Sequence, residues 1–153
     1  MHEILAAYGY PALFALSFLA STLLPLGSEW LLVAMLIQRH DPLTTVTVAT
    51  MGNYLGGCTS YFIGIYGGDF LIKRVLRIGD AERSRAERFF GSYGSWSLLL
   101  SWLPFIGDPL CLAGGVLKVP FCRFSILVAS GKGARYAVLA WLTLKGFQSA
   151  TAS

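Results

Sequence analysis

Apolar residues come in long runs broken by short polar turns, and the runs have two lengths. Residues 4 to 38 hold one strongly ionisable side chain, Glu29, and residues 42 to 68 hold no Asp, Glu, Lys or Arg. The first run, from Tyr10 to Leu24, stops at Pro25 and is followed by Gly27, Ser28 and Glu29. The next, Trp30 to Ile37, ends at the polar turn Gln38-Arg39-His40-Asp41-Pro42. A membrane-crossing helix needs about 20 predominantly apolar residues, so neither run crosses comfortably alone. One long helix kinked at Pro25 is one solution. The favoured one is a re-entrant hairpin of two short helices with Pro25 to Glu29 at its tip. Irregular backbone at membrane depth is tolerated only inside protein or around a water-filled cavity, so such a tip implies an enclosed polar site. An ordinary helical pair turning at one interface is the plainer alternative.

Residues 43 to 66 predict a full span. Gly52 and Gly56 in it have the small-xxx-small spacing that lets helix backbones approach in lipid, and packing against the hairpin is their expected use. Residues 69 to 90 change character, with Lys73, Arg74, Arg77, Arg83, Arg85 and Arg88 set against Asp69, Asp80, Glu82 and Glu87. This connector carries half of the 12 basic residues, which by the positive-inside rule makes it cytoplasmic. Leu71, Ile72, Val75 and Leu76 recur at helical spacing, and Asp80 is a candidate N-cap for a second short helix lying along the headgroups. These arginines are read chiefly as a solvated topology signal, with phosphate binding as the alternative.

The second half repeats the plan. From Tyr93-Gly94 an apolar run reaches Pro104, an acid follows at Asp108, a second short run ends near Lys118 and Arg123, and Phe124 to Leu144 supplies another span. A gapless displacement of 79 residues places Leu24-Pro25 on Leu103-Pro104, Glu29 on Asp108, Ala34 on Ala113, Arg39 on Lys118 and Gly52 on Gly131. Identities in that register are few, so the order of features carries the case. A re-entrant hairpin plus one span crosses an odd number of times, so the second half must be inverted relative to the first. Inverted repeats with broken helices at the midplane are a recurrent transporter plan. The expected fold is therefore an all-α integral membrane protein in a single domain, 1–153. Repeat 1 covers about 8–66, the cytoplasmic amphipathic connector 69–90, and repeat 2 about 93–146.

Composition agrees: 55% hydrophobic and 13% charged residues, with a mean hydropathy of +0.61, are too apolar for an ordinary soluble domain. The N-terminus lacks the basic and small-residue pattern of a cleaved signal, so no processing is expected. Cys58, Cys111 and Cys122 show no ligand spacing and are expected to be small buried thiols. His2 and His40 have no neighbouring ligand set, so neither a metal nor another cofactor is expected.

Four ionisable residues remain outside the predicted loops: Glu29 and Asp108 at the hairpin tips, and Lys132 and Arg135 in the last span. Each charge at the bilayer centre costs about 2.5 to 3.5 kcal/mol on the lenient insertion scale, so these must be paired, hydrated or protonated. The plain reading is two ion pairs that register the halves. Buried pairs often add little net stability, which favours a use beyond architecture. On that reading Glu29 and Asp108 exchange protons, because loss of water favours a neutral carboxyl, and Lys132 and Arg135 attract an anionic group. Positions 132 and 135 share a helix face, and the planar fork of Arg135 suits a phosphate best. Gly131 and Gly133 are expected to pack against Gly52 and Gly56, with room for a ligand as the alternative.

Read in order, PLGSEWLLVAML, ATMGNYLGG, LLLSWLPFIGDPLCLAGG and GKGARY closely resemble the YqaA-like branch of the DedA family, also called the VTT or SNARE-associated domain. The resemblance spans nearly the whole chain. It implies a bacterial inner-membrane protein with two facing re-entrant hairpins, in a group linked to moving polyprenyl phosphate and phospholipids across bilayers. Glu29 matches the family's acidic residue in the first hairpin, and Pro104 the proline of its second-hairpin motif. Better-studied members carry arginines around that proline, as in R-F-x-P-x-x-R, where this chain has Ser101 and Gly107-Asp108. Lys132 and Arg135 are the nearest substitutes for that positive charge.

The expectation is thus a proton-coupled transporter or flippase for an anionic lipid or amphipathic anion. Its partners would be membrane lipids and protons, without nucleic acid, and its glycine faces leave room for a homodimer. A non-transporting membrane-organising protein with structural charges is the rival. An enzyme is not expected, because no Ser/His, HExxH or paired catalytic aspartate motif is present.

Overall fold

The computed structural model describes residues 2–21, 28–67, 80–103 and 106–151. Pro25 and Pro104, the expected tip prolines, lie outside the described residues, as does the connector from 69 to 79. The described residues form helices only: α1 (His2–Ala20), α2 (Ser28–Ile37), α3 (Pro42–Tyr66), α4 (Asp80–Tyr93), a 3₁₀ segment (Gly94–Trp102), α5 (Gly107–Val116) and α6 (Phe121–Thr151).

The 79-residue displacement is written into the backbone. Shifted by it, α2 falls on α5 over its whole length, and the first residue of α3 falls on the first residue of α6. The turns coincide too. Arg39 and Lys118 both take left-handed backbone, with φ of 62° and 51°. His40 N–H donates to Met35 O (3.1 Å) and Arg39 N–H to Leu36 O (3.0 Å); Val119 N–H donates to Gly114 O (2.9 Å) and Lys118 N–H to Gly115 O (3.0 Å). Both short helices therefore end in the same Schellman motif, which satisfies their last carbonyls.

Helices α1 and α2 are separate and fold back on each other. Near the start of α1, Gly9 lies against the Met35 side chain close to the end of α2, and the Tyr10 and His40 rings meet edge to face at 5.7 Å. In the second half the first arm is a 3₁₀ segment of 9 residues where α1 has 19. It opens at Gly94, with φ of 57°, and Leu103 before Pro104 is extended, as a pre-proline residue prefers. At a rise of about 2.0 Å per residue this arm covers about 18 Å, the reach of roughly twelve α-helical residues.

α3 and α6 run antiparallel. Tyr61 and Gly64, late in α3, touch Val119 and Gly115 before the start of α6, while Leu36, Ile37, Arg39, His40 and Pro42 share a cavity wall with Thr143, Leu144 and Phe147, late in α6. Two main apolar clusters result, with a smaller one at Leu112, Ile63 and Val116. One joins Leu13, Leu32, Met35, Ala49, Tyr136 and Ala140; the other joins Tyr61, Leu98, Leu110, Cys111, Phe124 and Val128. Asn53 and Lys132 lie between the clusters along their respective helices.

Most small and polar residues of α3 face inward, and many of its large apolar residues face outward. α3 buries Thr45, Asn53, Ser60 and glycines 52, 56, 57 and 64, yet leaves Leu43, Met51, Leu55 and Phe62 exposed. That composition corrects one expectation. Among the described residues no helix is long and apolar enough to cross a membrane. At 25 residues α3 has the length, about 37 Å, but its inward face of Gly, Thr, Ser and Asn dilutes its hydropathy. Lys132, Arg135 and Arg123 do the same in α6.

The glycine expectations hold in part. A Cβ on Gly52 would sit 2.5 Å from the Phe14 carbonyl oxygen, and one on Gly56 2.6 Å from that of Phe18, so this face packs on α1. Gly131 does not meet Gly52 or Gly56. Its face packs on the 3₁₀ segment, where a Cβ would lie 2.8 Å from Leu99 O and from Ser101 Oγ, and Gly133 faces Thr50 with space to spare. Gly52 and Gly56 are covered by α1 and Gly131 by the 3₁₀ segment, in each case the first arm of the glycine's own half. Cys58 and Cys111 are buried as expected, but Cys122 is exposed in the first turn of α6, where neighbouring Phe121 and Arg123 are also exposed.

Candidate functional site

The short helices begin with the two acids. Glu29 lies in the first turn of α2 and Asp108 in the first turn of α5, where unpaired N–H groups and the helix dipole favour negative charge. α6 supplies the bases. Lys132, Arg135 and Tyr136 are at i, i+3 and i+4, a spacing that puts them on one face.

Each acid meets one base. Lys132 Nζ lies 3.0 Å from Asp108 Oδ1, with the lysine side chain 2% and the aspartate 25% exposed. Arg135 pairs with Glu29, at 15% and 34% exposure. The sequence-predicted quartet therefore forms two ion pairs, one from each half's acid, both held by α6.

At the inner pair the ammonium is fully committed. Lys132 Nζ donates to Ser21 Oγ at 2.6 Å, to Asn53 Oδ1 and to Asp108 Oδ1, which accounts for all three ammonium donors. Ser21 Oγ donates onward to Asp108 Oδ1 at 2.7 Å. Gly57 leaves room for this: a Cβ there would lie 3.5 Å from Lys132 Cε and 3.3 Å from Cys111 Sγ. An anion could reach Lys132 only by displacing one of these partners.

A second arm leads from Lys132 to the outer pair. Asn53 Nδ2 donates to the Tyr136 hydroxyl at 2.9 Å, and that hydroxyl is 2.9 Å from Ser28 Oγ, next in sequence to Glu29. The Arg135 guanidinium sits 5.8 Å from the Tyr136 ring centroid, within cation–π range. Asp108, Ser21, Lys132, Asn53, Tyr136 and Ser28 thus form one line of hydrogen bonds ending beside Glu29 and Arg135. Sequence reasoning had not singled out Ser21, Ser28, Asn53 or Tyr136. The available signal was Asn53, the residue that the 79-residue displacement sets opposite Lys132.

The pairs differ in what they can still do. Lys132 has no donor left, whereas Arg135 carries five N–H donors, of which one carboxylate takes at most two. The Glu29–Arg135 pair is also the more open at its acid. Pro25 and Pro104 lie outside the described residues and contribute no geometry.

The VTT domain matches residues 24–144, which takes in both acids, both bases and the Asn53–Tyr136 arm. Inner membrane protein YqaA of Escherichia coli (strain K12) is 38% identical over 147 residues, 95% of this chain and 96% of that protein. The protein of the same name from Shigella flexneri matches to the same extent. Uncharacterized membrane protein YbfM of Bacillus subtilis is 25% identical over 139 residues, 86% of each chain. No solved structure matches.

Proposed function

This chain belongs to the VTT domain (DedA) family, and from that premise we propose that it is a proton-coupled transporter or flippase of the bacterial inner membrane, carrying an anionic lipid or another amphipathic anion. The observation that carries the proposal is the Glu29–Arg135 pair, an accessible carboxylate on a guanidinium with donors to spare, inside a bundle whose outer surface is apolar. In water such an apolar surface would be misplaced. In lipid it is the economical arrangement, with polar groups enclosed and Trp30, Leu43, Ile126 and Trp141 facing acyl chains.

The membrane reading rests on this apolar outer surface and on the relatives, which are named as membrane proteins. The inverted repeat is supported by the shared register of α2 with α5 and of α3 with α6, and by the antiparallel course of α3 and α6. In this topology each folded-back pair is a re-entrant hairpin and the basic 69–90 connector is cytoplasmic.

Glu29 couples charge to cargo. Protonation makes Glu29 neutral and frees the Arg135 donors for an anionic headgroup; loss of the proton restores the carboxylate, which competes with the anion and expels it. Asp108 is the second carboxyl, with Lys132 as its fixed partner, and the hydrogen-bonded line keeps the pairs in register. The test is translocation of fluorescent polyprenyl-phosphate and phosphatidylglycerol probes in proteoliposomes under an imposed pH gradient. Gradient-dependent flipping in the wild type, lost in Glu29→Gln and Arg135→Ala, is the expected result. Folded protein that moves no probe argues against lipid transport.

The saturated coordination of Lys132 favours a second reading, a membrane-organising protein whose charges only lock the halves together. Neutral replacement of both ion pairs would then leave cellular function intact.

A further inference from the structure

The two turns that share one backbone geometry have different surroundings. The turn between α5 and α6 is sealed: Tyr61 donates its hydroxyl to Val119 O at 2.6 Å, its ring lies 4.3 Å from that of Phe124, and Gly64 and Gly115 bring α3 and α5 into backbone contact. Its counterpart between α2 and α3 borders a cavity of about 360 Å³, walled by Leu36, Ile37, Arg39, His40, Leu144 and Phe147. That volume lies within the range of small-ligand sites, roughly 300 to 1,000 Å³.

The cavity is chemically divided. Ile37, Leu144 and Phe147 offer exposed apolar surface, while Arg39 and His40 place a guanidinium and an imidazole on one lip. Both lip residues are held in place. Arg39 is fixed by its left-handed backbone in the Schellman turn, and His40 by its Nδ1 contact with Met35 O at 3.1 Å and its packing on Tyr10. A free inorganic anion has no use for the apolar wall, and a neutral hydrocarbon has none for the guanidinium.

We propose that this groove seats one anionic lipid, its phosphate on Arg39 and the start of an acyl chain along Ile37, Leu144 and Phe147. The site rests on the transporter reading and adds to it a loading position, at the start of α3 and separate from Glu29 and Arg135.

The test measures lipid retained by the detergent-purified full chain, by native mass spectrometry with dioleoylphosphatidylglycerol, dioleoylphosphatidylcholine and inorganic phosphate as probes. Arg39→Asn removes the charge with a residue that tolerates left-handed backbone, Arg39→Lys keeps it, and Thr143→Phe fills the groove. Phosphatidylglycerol should be retained in preference to phosphatidylcholine. Its retention should fall about tenfold in Arg39→Asn, the loss of one charge-assisted contact, fall as far in Thr143→Phe, and persist in Arg39→Lys. Equal retention by all four proteins overturns the proposal, and so does competition by millimolar phosphate, which would indicate a headgroup-only anion site. Flux separates this site from the transport reading: pH-driven flipping without retention sinks the groove alone, and retention without flipping of any probe sinks the transporter while leaving the groove a lipid site.

Discussion

Asn53 and Lys132 are counterparts at the 79-residue displacement, and their side chains meet, the ammonium donating to the Asn53 amide oxygen between the two halves. One half supplies a neutral acceptor where the other supplies a charge, so the contact joins the repeats without opposing like charges. Lys132→Met would leave Asp108 without its counter-charge and the Asn53 oxygen without its donor, with only the Ser21 hydroxyl still bonded to Asp108. Removing one partner of a buried pair costs about 3 kcal/mol or more, and the partial exposure of Asp108 sets the low end of that range here. Thermal unfolding in detergent should show a large loss for Lys132→Met and a smaller one for the double change Lys132→Met/Asp108→Asn, which leaves no unpaired charge. Equal losses would mean that the ion pair is not what matters at this point.

Gly56 and Gly133 both lie in long helices but should respond oppositely to alanine. At Gly56 the added methyl would meet the Phe18 carbonyl oxygen at 2.6 Å and Ser21 Cβ at 2.7 Å, forcing α1 off α3. Overpacking of this kind costs about 1 to 3 kcal/mol, and it would also shift Ser21 away from Lys132. At Gly133 the nearest atom is Thr50 Cγ2 at 3.6 Å, an ordinary contact, so the helix-propensity gain of up to about 1 kcal/mol should show. Unfolding midpoints of the two variants on opposite sides of the wild type are the expected result.

The ion-pair quartet was legible because charge in apolar sequence is conspicuous. The shared register of α2 with α5 and of α3 with α6 was legible because the acids and turns keep one spacing even though few residues are identical. The partners of the quartet were not. Ser21, Ser28, Asn53 and Tyr136 are ordinary residues in a helix, and only the antiparallel packing of α3 and α6 brings 53 to 132 and 136. The destination of Gly131 was misread for the same reason: periodicity fixes which face a glycine lies on but not which helix covers it. The 3₁₀ arm carries no distinct composition, since GSWSLLLSW reads equally well as α-helix.

Tyr136 is the joint between the two ion pairs, and its hydroxyl is the part that matters. Tyr136→Phe keeps the ring in its cluster but deprives Asn53 Nδ2 and Ser28 Oγ of their partner. A buried polar group left without a partner costs about 1 to 3 kcal/mol. If the line couples the pairs, Ser28→Ala should cost less in the Tyr136→Phe background than in the wild type. A double-mutant cycle on unfolding free energies measures this, and strict additivity would show that the serine and tyrosine act independently.

Asp41 caps α3 outside the bundle and gives a pH response that can be followed at one amide. Thr44 donates to Asp41 Oδ2 from its backbone N–H at 2.8 Å and its hydroxyl at 2.6 Å. These bonds favour the ionised form, the side-chain bond most, and hold the carboxyl below its ordinary value of 3.8. The unfolded chain titrates at the ordinary value and the folded chain below it. The cap's contribution is therefore complete above 3.8 and is lost as pH falls through the lower, folded value. Tracked by NMR in detergent, the Thr44 amide shift should titrate with a midpoint below 3.8 in the wild type. Asp41→Asn keeps an acceptor oxygen and should show a flat profile, and Asp41→Ala should show an uncapped amide at every pH. A wild-type midpoint at or above 3.8 would mean that the Thr44 bonds do not hold the carboxylate in solution.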